Sequence, residues 1–142
     1  MKLISIAVFA EGIFLTGCSV KPRPVQIGKD VCAYCKMEIS DERFATEAIT
    51  KKGKIVTYDE IHCLLNDIQE RGLQREDVKA VYANDFCGSH ELLDLKRASV
   101  LQAEELRSPM GGNYAAFSSA DSLAACQKML GGQVVIWESL LK

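Results

Sequence analysis

Within six residues, Cys32, Ala33, Tyr34, Cys35, Lys36 and Met37 supply two thiols and a thioether. Soft ligands of this kind prefer Cu(I). The thiolates alone would also accept Zn(II), but a thioether tips the preference toward copper, because zinc rarely takes methionine. The spacing is workable: a turn at Ala33 and Tyr34 can bring Cys32 and Cys35 together, and an extended step from Cys35 to Met37 points both side chains to one side. Lys36 adds a positive charge that favours thiolate over thiol. Farther on, Ser108, Pro109, Met110, Gly111 and Gly112 place another methionine in a turn, where proline fixes the approach and glycine lets backbone come close to a neighbouring element. A core methionine is the bland alternative there.

The same cysteines allow other chemistries. Cys87 and His90 form a C-x-x-H pair that could complete Cys32 and Cys35 as a tetrahedral Cys3His zinc set, or hold a second metal by themselves. The 51 residues between Cys35 and Cys87 exceed the usual finger spacing of about 12 to 20. A thioredoxin-type redox pair needs a strand before the C-x-x-C and a helix after it, whereas Asp41, Glu42 and Arg43 lead here into a strand-like run. A structural disulfide is open to the pair in an oxidising compartment. Cys126 sits inside a helical segment and reads as a small buried hydrophobe. On an ideal wheel Cys63 lies about opposite the stripe of Ile61 and Leu64, and His62 reads as a surface residue. Ser-His-acid patterns, phosphate loops and paired carboxylates are missing, so the chain is not expected to be an enzyme.

The elements that must position these groups are short. Strand-like runs cover Phe44 to Thr50, Lys54 to Tyr58, Val78 to Asn84, Ala98 to Ala103, Asn113 to Phe117 and Gln133 to Trp137. One helix is expected from Thr57, which with Glu60 fits a capping box, through Ile61, Leu64, Leu65 and Ile68 to Gly72. A second is expected from Ser119 to Leu130, with serine caps at its start and Gly131 and Gly132 as its stop. At an offset of 59 residues Gly53 falls on Gly112, Tyr58 on Phe117, Leu64 on Leu123 and Gly72 on Gly131. The reading is an α+β fold of two related ββα-type halves, about 30–75 and 78–142. Neither half is large enough to be stable alone, so they should pack together.

The first residues stand apart. Leu3 to Leu15 is too short to cross a bilayer as a comfortable helix and reads as a signal-peptide core. Leu15, Thr16, Gly17 and Cys18 resemble a bacterial lipobox, which makes 1–17 a signal peptide and Cys18 a diacylated N-terminus. Residues 18–29, with Pro22 and Pro24, then form a tether to a domain spanning 30–142. The protein is thus expected on a bacterial membrane, facing the periplasm or exterior, and Ser19 after Cys18 mildly favours the outer membrane. A net charge of −2 gives no basic field for nucleic acid.

Taken together, Cys32, Cys35 and Met37, then Tyr58 and Asp59, then Ser108 to Gly111 with Ala116 and Phe117, and finally Gly131 and Gly132, resemble the NosL family. That resemblance extends from about Val31 to Ser139, and the C-x-x-C-x-M string and the Pro-Met-Gly turn are its most specific parts. It implies copper-binding lipoproteins that serve maturation of nitrous oxide reductase, and two halves in a treble-clef-like arrangement. On this sequence it implies Cys32, Cys35, Met37 and Met110 as metal ligands and Cys18 as the lipid site. It further implies Cu(I) as cargo and apo-nitrous oxide reductase, or another copper enzyme, as client. Cys63, Cys87, Cys126 and His90 have no place in that pattern.

Overall fold

The computed structural model describes residues 20–141; Cys18 and the expected signal peptide lie outside the described residues. β1 (Thr46–Thr50) is the centre of the first sheet, and all five of its residues are buried. It pairs antiparallel with β2 (Ile55–Tyr58) on one side, Ala48 opposite Val56, and with β3 (Val78–Asn84) on the other, Ala48 opposite Val81. Between β2 and β3 the chain makes α1 (Ile61–Gln69), and β4 (Leu92–Asp94) then adds to the outer edge of β3. The sheet order is β2-β1-β3-β4.

The second sheet repeats that path. β5 (Ser99–Gln102) pairs antiparallel with β6 (Tyr114–Phe117), α2 (Ala120–Leu130) follows, and β7 (Gln133–Val135) returns to the free side of β5, giving the order β6-β5-β7. In both sheets a hairpin leads to a helix, and the next strand closes on the far side of the first. The fold is α+β with two antiparallel sheets. β3 belongs to the first sheet, which therefore runs on well past residue 78.

Core packing joins the two sheets. One apolar cluster takes Ala48, Tyr58, Leu64 and Val81 from the first unit together with Val100, Ala116 and Trp137 from the second. Another gathers Leu101, Phe117, Leu123 and Cys126 around Phe44. Phe86 bridges Phe44 and Phe117 with ring centroids 5.5 and 5.7 Å apart, in the tilted geometry that aromatic pairs favour.

Local signals were realised unevenly. At α2 the Ser119 side chain accepts the Ser122 N–H at 3.1 Å, and the chain leaves the helix at Gly131 with φ +71°, a conformation cheap only for glycine. At α1 the expected capping box does not form. Thr57 is still in β2, and its hydroxyl donates to the Val31 carbonyl at 3.2 Å; Glu60 is the capping residue and makes no side-chain cap. The competing bonds are tertiary ones, described below. The final strand stops at Val135, because Trp137 opens a last helical turn, α3 (Trp137–Leu140), that buries its indole. The later part of the expected tether lies on the domain: Val25 is buried, and the Arg23 guanidinium grips the Asp30 carboxylate at 2.7 and 3.0 Å. No helix among the described residues is long and apolar enough to cross a membrane.

Candidate metal centre

The C-x-x-C string sits in a tight loop closed by a bridge between Val31 and Glu38 and by the Cys32 N–H to Met37 carbonyl bond of 2.9 Å. Lys36 turns the loop with φ +63°, and its N–H returns to the Cys32 carbonyl at 3.1 Å. The Ala33 N–H donates to the Thr57 carbonyl at 2.9 Å, so the loop is tied to β2 next to the start of α1. This docking sets Cys32, fully buried, and Cys35, half-buried, against Cys63 in the first turn of α1. The three Sγ atoms lie within 4.8 Å of one another.

Cys63 was the residue sequence reasoning missed. Its place opposite the Ile61 and Leu64 stripe assigns it no role; it is fully buried like Leu64, because the Cys32 loop covers that other face of the helix. A third thiol at the start of the helix following a C-x-x-C loop was the signal available.

Electrostatics in the trio are unequal. The Cys32 thiol is brought down to about 5, chiefly because the Cys63 thiol donates to it, with help from the backbone N–H groups of Asp59, Cys35 and Tyr34 and against the cost of burial. Cys63 is pushed up correspondingly, first by that hydrogen bond, then by burial and the Cys32 charge. Cys35 is also raised, mainly by burial, although the Met37 N–H favours its thiolate. The trio is thus polarised toward a single thiolate, centred on Cys32, at the positive end of α1. Lys36 was expected to supply that stabilisation, but its ammonium is directed to the Ala33 carbonyl.

Beside the trio, Asp59 is buried with one carboxylate oxygen lacking any partner. Its carboxyl is raised to about 6 by burial first and then by the charges of Cys32 and Glu60. An unpaired oxygen next to a thiolate is a poor arrangement for an empty core and a good one for a cation. Glu60, equally buried, spends its carboxylate on the turn that carries Met110. Its two oxygens accept the Met110 N–H at 3.2 Å and the Gly112 N–H at 2.9 Å. That contact holds the Ser108–Asn113 turn over the first turn of α1, and His62, expected at the surface, is half-buried against Gly112. The two thioethers are exposed, Met37 by 57% and Met110 by 39%. A groove of about 730 Å³ shares Gly111 and Gly112 with this turn but is lined by no cysteine.

Cys87 and His90 do not join Cys32 and Cys35 in a ligand cluster among the described residues. The His90 ring points Nδ1 at the Asp85 carbonyl, 2.7 Å away, and Nε2 toward Glu42 at 3.7 Å. Cys87 packs instead into the cluster around Phe44, near Cys126, which is buried as expected. Physically, the turn after β3 is held by Asp85 and Phe86 on the second sheet, away from the Cys32 loop.

A comparison with curated proteins gives no match. Among solved structures, the fold is shared with the crystal structure of the copper chaperone NosL from Shewanella denitrificans. The TM-score is 0.71 and the identity 18%, over 84% of this chain and 95% of that one. The NosL family model matches residues 24–141, nearly the whole described domain, and the chain belongs to the NosL family.

Proposed function

We propose that this protein is a copper chaperone that binds Cu(I) on the thiolates of Cys32, Cys35 and Cys63 and hands it to an apo-enzyme outside the cytoplasm. The observation that carries this reading is the trio itself: three sulfur atoms within 4.8 Å of one another, the Cys32 thiol drawn toward its thiolate by the Cys63 hydrogen bond. Three soft ligands suit the low coordination number of Cu(I), whereas structural zinc closes a tetrahedral shell. The C-x-x-C pair is poorly built for thiol–disulfide catalysis, since its first cysteine, the usual nucleophile, is fully buried.

Transfer follows from the gradation of exposure. Met37 lies two residues from Cys35, and the Met110 turn is bonded to Glu60, three residues from Cys63. Exposed thioethers can take up or release Cu(I) by ligand exchange, while half-buried Cys35 and fully buried Cys32 and Cys63 would hold the ion tightly. No catalytic step is needed. Cys18 would anchor the chain by its acyl groups on the extracytoplasmic side of a bacterial membrane, and the client is apo-nitrous oxide reductase or another copper enzyme. Mixing the Cu(I)-loaded chain with apo-nitrous oxide reductase, then separating the two, should move copper to the enzyme faster than free Cu(I) in the presence of a chelator. Retention of all the copper by the chain would reject that client. Collapse of the fold on zinc chelation would favour a zinc-stabilised module instead.

A further inference from the structure

Two thiols outside the trio share one apolar cluster. Cys87 lies in the connection between β3 and β4, half-buried, and Cys126 lies on α2, only 7% exposed. Both pack in the cluster of Phe44, Phe86 and Phe117, and Cys126 is the hydrogen-bonding neighbour of the Cys87 thiol there. We propose that Cys87 and Cys126 are an oxidative modification site, joined in the mature protein by a disulfide that ties the edge turn of the first sheet to the helix of the second.

The surroundings favour a neutral product over a second metal. Burial, Cys126 and the Asp85 carboxylate all oppose the Cys87 thiolate. Asp85 is itself buried, accepting hydrogen bonds from the Cys87 N–H at 3.2 Å and from the Ser118 hydroxyl. Cu(I) on two thiolates would carry a net negative charge beside that carboxylate and among three aromatic rings, whereas a disulfide carries none. His90, the neighbouring imidazole, is engaged with the Asp85 carbonyl.

The step uses a disulfide oxidant, protein-borne or small, as an oxidising compartment supplies; in that respect it rests on the extracytoplasmic reading above. Cys87, the more exposed thiol, loses its proton and attacks one oxidant sulfur, forming a mixed disulfide and releasing the other sulfur as a thiol. Cys126, buried beside it, then loses its proton and attacks the Cys87 sulfur, expelling the second oxidant sulfur. Two electrons and two protons leave the pair, and the oxidant becomes two thiols.

Peptide mapping tests this on the full chain, reduced, equilibrated with oxidised glutathione and then blocked with an alkylating reagent. The expected product is a Cys87–Cys126 cross-linked peptide pair lacking two hydrogens. The oxidised chain should melt about 10 °C above a Cys87→Ser/Cys126→Ser variant, and Cys126→Ala should leave glutathione on Cys87. Alkylation of both Cys87 and Cys126 would overturn the proposal. So would a fall in Cu(I) stoichiometry from two to one in the double variant, which would mean that the pair holds metal. If the trio took up no copper while the cross-link formed, the chaperone reading would fail and this one would stand.

Discussion

Cys32 is the one thiol of the trio that its surroundings draw toward the thiolate. Its thiolate is held by a donated hydrogen bond from Cys63 and by three backbone N–H groups, while Cys35 and Cys63 keep their protons because each is buried beside that charge. Binding an ion to all three as thiolates must therefore release two protons, so affinity rises with pH. Between about pH 6 and 8 the apparent Kd for Cu(I) should fall roughly 100-fold per pH unit, as read by competition with a chelator of known pH behaviour. A flat profile would mean that the two protonated thiols are not ligands. The Cys32 and Cys35 pair was legible in the sequence because the loop that joins them is local. Cys63 was not, because a helical wheel shows only the stripe that a helix turns toward one partner. What covers its other face, here the Cys32 loop, is a tertiary fact.

At the scale of elements, the sequence revealed strands and helices wherever local rules went unopposed. Val78 to Asn84 is a strand over the whole expected range, and α2 starts and stops at Ser119 and Gly131. Where a tertiary contact competed, the local signal lost. The Thr57 and Glu60 pattern fits a cap, but Thr57 is bonded to the Cys32 loop and Glu60 to the Met110 turn. β4 escaped notice because Leu92–Asp94 is too short to show a period. The Glu60 clamp needs Gly112, where a Cβ would come within 2.1 Å of the His62 Cβ and 2.5 Å of a Glu60 carboxylate oxygen. Gly112→Ala should therefore push the Met110 turn off α1 and destabilise the fold by about 2 kcal/mol in urea unfolding. Unchanged stability would show that this approach is not tight.

For the whole molecule, two sheets of the same connectivity share a core, and the trio lies where the chain before β1 folds back onto β2 and α1. In the internal match at an offset of 59 residues, Gly53 and Gly112 lie in the connections between paired strands, Tyr58 and Phe117 end β2 and β6, and Leu64 and Leu123 are buried on α1 and α2. Side-chain chemistry is not repeated, since the second unit carries no trio among the described residues. The proposed membrane link rests on Cys18, which lies outside the described residues. Cys18→Ala should shift the protein from the membrane to the soluble fraction of cells expressing it, and unaltered partitioning would dismiss lipidation at that residue. The central claim is that three thiols, including Cys63, hold Cu(I). Its most direct test is a competitive Cu(I) titration of the reduced full chain beside Cys63→Ser, with folding of both verified by circular dichroism. One tightly held ion in the native chain and at least 100-fold weaker binding in the folded variant is the result predicted; equal affinity in the two, or no uptake by the native chain, would contradict it.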